Sequence, residues 1–147
     1  MSFLDKINEM KDGVLKQYGK IANKTLMEGT MAGLALVTNA NGQVKNEEME
    51  LMIGMISRDE DLNVYDVSEM IKVFKSRMEA FTLSPILGET ECLAEVGKLK
   101  KKADQATVLV GKCCAIGASD GDFDANEKAV VTKMCVALGL SPAQLDL

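Results

Sequence analysis

Apolar residues recur at helical spacing through almost the whole chain, and that pattern leaves few folds open. Met49, Met52, Ile53 and Ile56 follow the i, i+3, i+4, i+7 rule of a helix with one buried face. Val67, Met70, Ile71 and Phe74 repeat it, continued by Met78 and Phe81. Ala106, Leu109, Val110, Cys113, Cys114 and Gly117 form a further stripe, as do Val130, Val131, Met134 and Leu138. Another helix begins near Lys24 and runs through the small, apolar stretch from Met31 to Val37, and one more is expected from about Glu89 to Lys101. Phe3, Leu4, Ile7, Met10, Val14 and Leu15 share one face, which predicts an amphipathic N-terminal helix over 2–20. Ser141-Pro142 is an N-cap followed by proline at the first helical position, and opens a short last helix. No stretch alternates as a strand would. The expectation is an all-α bundle of about seven to eight helices in one domain, 1–147.

Glycine and proline divide this pattern. Asn39-Ala40-Asn41-Gly42 and Ser119-Asp120-Gly121-Asp122 are the sharpest turn signals. Leu83 to Gly88, with Pro85, is expected to be a linker between halves. The two turns are copies of one another. With Asn41-Gly42-Gln43-Val44-Lys45-Asn46-Glu47-Glu48 set beside Asp120-Gly121-Asp122-Phe123-Asp124-Ala125-Asn126-Glu127, the glycine, the apolar residue and the final glutamate coincide. At the same offset Val37 meets Ile116, Met31 meets Val110 and Met52 meets Val131. Helix, glycine turn, helix and short capped helix therefore occur twice, over about 24–82 and 103–147. Neither copy carries enough apolar surface to stand alone. The halves are expected to pack about a pseudo-two-fold axis with both turns at one end.

The repeated turn is where chemistry would reside. Each glycine is expected at positive φ, where a side chain would clash, with Val44 or Phe123 fastening the turn to the core. Asp124-Ala125-Asn126-Glu127 reads as a helix N-cap with glutamate at N3, a capping-box arrangement. The same residues also suit a divalent cation. With Gly121 as the sixth residue of a calcium loop, Asp120, Asp124 and Glu127 fall at the fifth, ninth and twelfth positions. Ile116 and Ala118 would then occupy the first and third, where they cannot ligate, so no complete EF-hand exists. The missing oxygens would come from the first copy. Asp120, Asp122, Asp124 and Glu127 with Asn41, Glu47 and Glu48 make a carboxylate and amide set suited to Ca²⁺ or Mg²⁺ and to no soft metal. The bland alternative is that these acidic residues are only helix caps.

Composition closes off other functions. Without His, there is no Ser-His-Asp or Cys-His catalysis and no imidazole metal site. A net charge of −5, with four Phe, two Tyr and no Trp, argues against a nucleic-acid binder. Cys92, Cys113, Cys114 and Cys135 form no CxxC pair, and are expected to be buried, reduced and inert. Thiol reduction of a substrate would need an exposed cysteine of low pKa, which this placement does not provide. Lys98, Lys100, Lys101 and Lys102 are expected to complement a helix C-terminus, and Arg58-Asp59-Glu60-Asp61 to be solvated surface. No continuous apolar run reaches the ~18 residues needed to span a bilayer.

Several of these segments, taken together, resemble the TerB family of tellurite resistance proteins. They are Met1-Ser2-Phe3-Leu4-Asp5-Lys6, the Met49 to Ile56 helix with Arg58-Asp59-Glu60-Asp61-Leu62, Val64-Tyr65-Asp66, Gly88-Glu89-Thr90, and above all Ala118 to Lys128. The likeness runs in register to Ser141-Pro142-Ala143. It implies an all-helical fold of two similar halves, with acidic residues gathered in the repeated turns for a divalent-cation role. It implies no enzymatic activity. It also implies cytoplasmic residence with some association at the inner face of the inner membrane, beside other Ter proteins including the integral membrane protein TerC. The second turn retains Asp120, Gly121 and Glu127 of the family pattern. The first keeps Gly42 and Glu48 but has Asn41 for Asp and Lys45 for a small capping residue, so the second turn would dominate any cation site.

Overall fold

The computed structural model describes residues 23–42, 44–117 and 123–145. These contain six α-helices, two short 3₁₀ helices and no strand. The N-terminal helix expected over 2–20 lies outside the described residues.

Helix α1, Lys24–Thr38, is the centre of the molecule. Its sequence is apolar or small almost all round, which makes burial on every side the stable outcome. From Leu26 to Val37 only Glu28 is not fully buried, and α1 touches every other α-helix described. Asn23 caps its start, accepting the Leu26 amide at 2.9 Å. The Tyr65 hydroxyl fixes Asn23 in turn, accepting its amide at 2.9 Å and donating to its carbonyl at 3.0 Å. Two glycines let neighbours approach. A Cβ at Gly33 would lie 2.6 Å from Cys113 Sγ and 2.9 Å from Met134 Cε, and one at Gly29 would lie 2.9 Å from Leu109 Cδ1.

Helix α2, Asn46–Arg58, buries only Met52 and Ile56 and lies on the surface. Lys45 precedes it without making a side-chain cap, while Glu47 and Glu48 in the first turn and Arg58 in the last suit the helix dipole. A 3₁₀ turn, Leu62–Val64, leads to α3, Val67–Leu83, which presents Met70, Phe74 and Met78 to the core. Asp66 caps α3, accepting from the amides of Ser68 and Glu69.

The expected linker at 83–88 is not a linker. Ser84 alone separates α3 from α4, Pro85–Gly97; it ends the first helix and caps the second, accepting the Leu87 amide at 3.2 Å. Pro85 starts the new helix because its missing N–H would have been unpaired there anyway. Gly88 faces the preceding helix, and a Cβ there would sit 2.7 Å from Phe81 Cα. Helix α4 thus begins and ends earlier than the expected Glu89 to Lys101, and packs on α1, α3 and α6. Lys98 to Lys101 follow it as turns.

Helix α5, Ala103–Gly117, and helix α6, Ala125–Leu138, complete the set. Gly139, at φ 71°, ends α6 in the left-handed region. Its amide bonds Val136 O and that of Leu140 bonds Cys135 O, a Schellman stop. The short last helix takes the 3₁₀ form over Pro142–Leu145. The order α-helix, α-helix, 3₁₀ thus recurs, in α1, α2 and Leu62–Val64 and again in α5, α6 and Pro142–Leu145. No described helix is long and apolar enough to cross a membrane.

Candidate functional site: two joined turns

The first glycine turn meets the start of α6. Asn41, 83 residues before Asp124, donates its side-chain amide to Asp124 Oδ2 at 2.8 Å. Its carbonyl oxygen accepts from Asn126 Nδ2, also at 2.8 Å. Asn41 therefore uses both ends of its amide across the joint, which a carboxylate, having no donor, could not do in the same place.

Each side of the joint is built locally. Gly42 adopts φ +97°, the left-handed conformation expected of it. On the second side Phe123 is buried, and Val44 packs against the core from the first. Gly117, the last residue of α5, makes room for this. A Cβ there would meet Val37 Cγ1 at 2.9 Å and Phe123 Cε2 at 3.3 Å. Asp124 and Glu127 then close a full capping box. Asp124 Oδ1 accepts the Glu127 amide at 2.8 Å, and Glu127 Oε1 accepts the Asp124 amide at 3.1 Å. The Glu127 amide above all, and then the Asn41 side chain, hold the Asp124 carboxyl below the usual carboxylate range.

The structure thus brings Asn41, Asp124 and Glu127 of the expected set together. Glu47 and Glu48 stand exposed on the first turn of α2, and neither hydrogen-bonds into the cluster. Asp120 and Asp122 lie outside the described residues. Among the described residues, no group of three or more acidic or thiol side chains gathers as a metal cage. Asn126 was not among the expected residues. Its signal was its place within the repeat, opposite Glu47.

A second polar centre corrects the reading of Arg58-Asp59-Glu60-Asp61 as solvated surface for Asp59 and Asp61, while Arg58 and Glu60 are exposed as expected. Lys112 on α5 is 1% exposed, and its ammonium lies 2.8 Å from Asp59 Oδ1 and 3.2 Å from Asp61 Oδ2. Asp59 Oδ1 also accepts the amides of Asp61 and Leu62, turning the chain into the 3₁₀ segment. The four cysteines are buried and free. Burial pushes the Cys92 and Cys114 thiols up to about 12, and raises those of Cys113 and Cys135. None of them is a thiolate nucleophile at neutral pH.

Residues 27–147 match the family described as tellurite resistance protein TerB. A curated relative from Alcaligenes sp, named tellurium resistance protein TerB, is 32% identical over 119 residues, covering 77% of this chain and 98% of its own length. No solved structure matches the chain. The family match takes in every described helix but the first turn of α1, and with the relative it establishes that the chain belongs to the TerB family of tellurite resistance proteins.

Proposed function

We propose that this protein serves tellurite resistance as a non-enzymatic module whose joined turns bind a divalent cation, Ca²⁺ or Mg²⁺, and so govern its hold on other Ter proteins. The observation that supports this most is Asn41 bonded to both Asp124 and Asn126, because it draws oxygens from two distant turns to one place. Asp120, Asp122, Asp124 and Glu127 would supply most of the charge, Asn41 a neutral oxygen, and Glu47 and Glu48 an outer acidic rim. Partners would include an integral membrane protein of the TerC type. The module would then reside in the cytoplasm, at times against the inner face of the inner membrane.

The rival reading is a metal-independent interaction domain whose acidic turns are only caps. The complete capping box of Asp124 and Glu127 favours it, since a cap needs no ion. A backbone-amide NMR titration with Ca²⁺, Mg²⁺ and Zn²⁺ separates the two, run on the wild type and on Asp120→Asn with Glu127→Gln. Glutamine at N3 still caps the helix, so the variant removes charge and keeps the fold. Saturable shifts centred on Gly42 and Gly121 with the hard cations, lost in the variant, are the expected result. Silence up to millimolar ion would leave the turns as caps.

A further inference from the structure

A cavity of about 520 Å³ opens between the start of α1 and one face of α3, and shares no residue with the joined turns. Its lining includes three cations, Lys24, Lys72 and Arg77, against two anions, Glu28 and Glu69. That is a local positive excess on a chain of net charge −5. The three cations are differently committed. Lys24 faces Glu69 at 3.9 Å, with both side chains largely in water, where such pairs hold weakly. Lys72 has no hydrogen-bond or ion-pair partner among the described residues. Arg77 lies 3.6 Å from Glu95 and 3.9 Å from Glu91, both beyond hydrogen-bond distance, and its Nε is buried without a partner. Lys98 takes the closer place on Glu95, at 3.0 Å.

Arg77 is therefore a guanidinium, 23% exposed, that completes no hydrogen bond among the described residues. The buried Nε is closed to solvent; an acceptor brought into the cavity would meet the terminal nitrogens, whose carboxylate neighbours stand at 3.6 and 3.9 Å. The planar fork of arginine matches the paired oxygens of an oxyanion. On α3 the neighbouring positions add donors of the right kind. Ser68, Lys72 and Ser76 follow one another at four-residue spacing along the lining face, and Ser76 adjoins Arg77. Glu28 and Glu69 at the same cavity disfavour a long polyanion. We propose that this cavity binds a small oxyanion of the phosphate or tellurite type, held by Arg77 and Lys72 with the Ser76 hydroxyl as a neutral donor. The site stands independently of the cation reading of the turns, and a chain that binds no cation would still show it.

The test is an amide NMR titration of the full chain with inorganic phosphate and, separately, tellurite, at ionic strength held constant with chloride. Saturable shifts in the amides of residues 68–77 are expected in the millimolar range. Arg77→Gln should abolish them. Because Arg77 also faces α4, Lys72→Gln is the second variant: it removes an exposed, unpartnered charge, leaves the fold intact, and should weaken binding about tenfold. Response to one anion alone names the ligand, and response to both makes it a general oxyanion site. The proposal is overturned if neither anion gives saturable shifts, or if those shifts persist unchanged in Lys72→Gln.

Discussion

Replacing Lys112 by methionine takes a charge out of the interior while keeping most of the aliphatic stem. In the native protein the ammonium lies 2.8 Å from Asp59 and 3.2 Å from Asp61, and the side chain is 1% exposed. Removing one partner of a sealed ion pair costs about 3–5 kcal/mol, mostly through the charge left behind. Here what remains is not sealed: the two carboxylates are 16% and 27% exposed, so water recovers part of their solvation. Asp59 also keeps two backbone amides, at 2.9 and 3.1 Å. These corrections bring the expected loss to about 2 kcal/mol. For a chain of this size that is a fall in Tm of about 4–8 °C, or a lower urea midpoint at unchanged slope. Adding Asp59→Asn and Asp61→Asn removes the stranded charges, and the new amide oxygen at position 59 still accepts both N–H groups. The triple variant should therefore recover most of the loss. A single variant that loses less than about 0.5 kcal/mol, or a triple variant no better than the single, would show that stranded charge does not set the cost.

Further outcomes follow from the same geometry. Gly88→Ala places a Cβ 2.7 Å from the Phe81 backbone, which cannot yield, and should cost about 1–3 kcal/mol. Gly54→Ala, with nothing within 4 Å, should instead stabilise α2 by about 0.5–1 kcal/mol, and thermal melts of both variants check the contrast. Native protein should resist thiol labelling until it unfolds. Because burial raises the Cys92 and Cys114 pKa values from 9.0 to about 12, the stability linked to their neutral thiols is complete below pH 9. It is lost as pH rises from there towards 12, so the urea midpoint should fall over that window. Asn41→Asp sets a carboxylate against Asp124 in place of a donor. Its melting temperature should respond more to Ca²⁺ than that of the wild type, and an equal response would cut the tie between the joint and cations.

The helices were legible because burial of one face writes a period into the sequence, as Met70, Phe74 and Met78 show along α3. The break at Pro85 misled for a local reason. Proline ends a helix from its interior but begins one from its first position, and Ser84 immediately before it was the deciding signal. Gly88 reads as a flexible point in sequence and is a contact in the fold. Asp59 and Asp61 look solvated because their partner lies 51 residues away from Asp61, and a lysine within an apolar stripe does not announce its counter-charge. Of the candidate site, the repeat located Asn41 and Asp124 each in its own turn. Their hydrogen bond depends on how α1, α5 and α6 pack, which no local spacing encodes.

That packing explains how the joint is formed. Gly33 draws Cys113 of α5 and Met134 of α6 onto α1, and Gly117 admits Val37 and Phe123 into the contact where α1 and α5 end. Phe123 is buried immediately before Asp124, and the capping box fixes Asp124 from the helix side. The carboxylate is thus positioned by core packing and by α6, and Asn41 only has to reach it. Carboxylates placed this way differ from solvated ones in the ordering they still require. A ligand binding to loose side chains loses about 0.5–1.5 kcal/mol for each one it immobilises, whereas the oxygens of Asp124, Glu127 and Asn41 are already held. The same rigidity makes the start of α6 a poor sensor by itself, since Asp124 and Glu127 are already fixed by their capping box. Under the proposed cation-linked function, a change passed to a partner would arise on the first side, where Lys45 leaves α2 without a side-chain cap and Asn41 is held by two hydrogen bonds between exposed side chains.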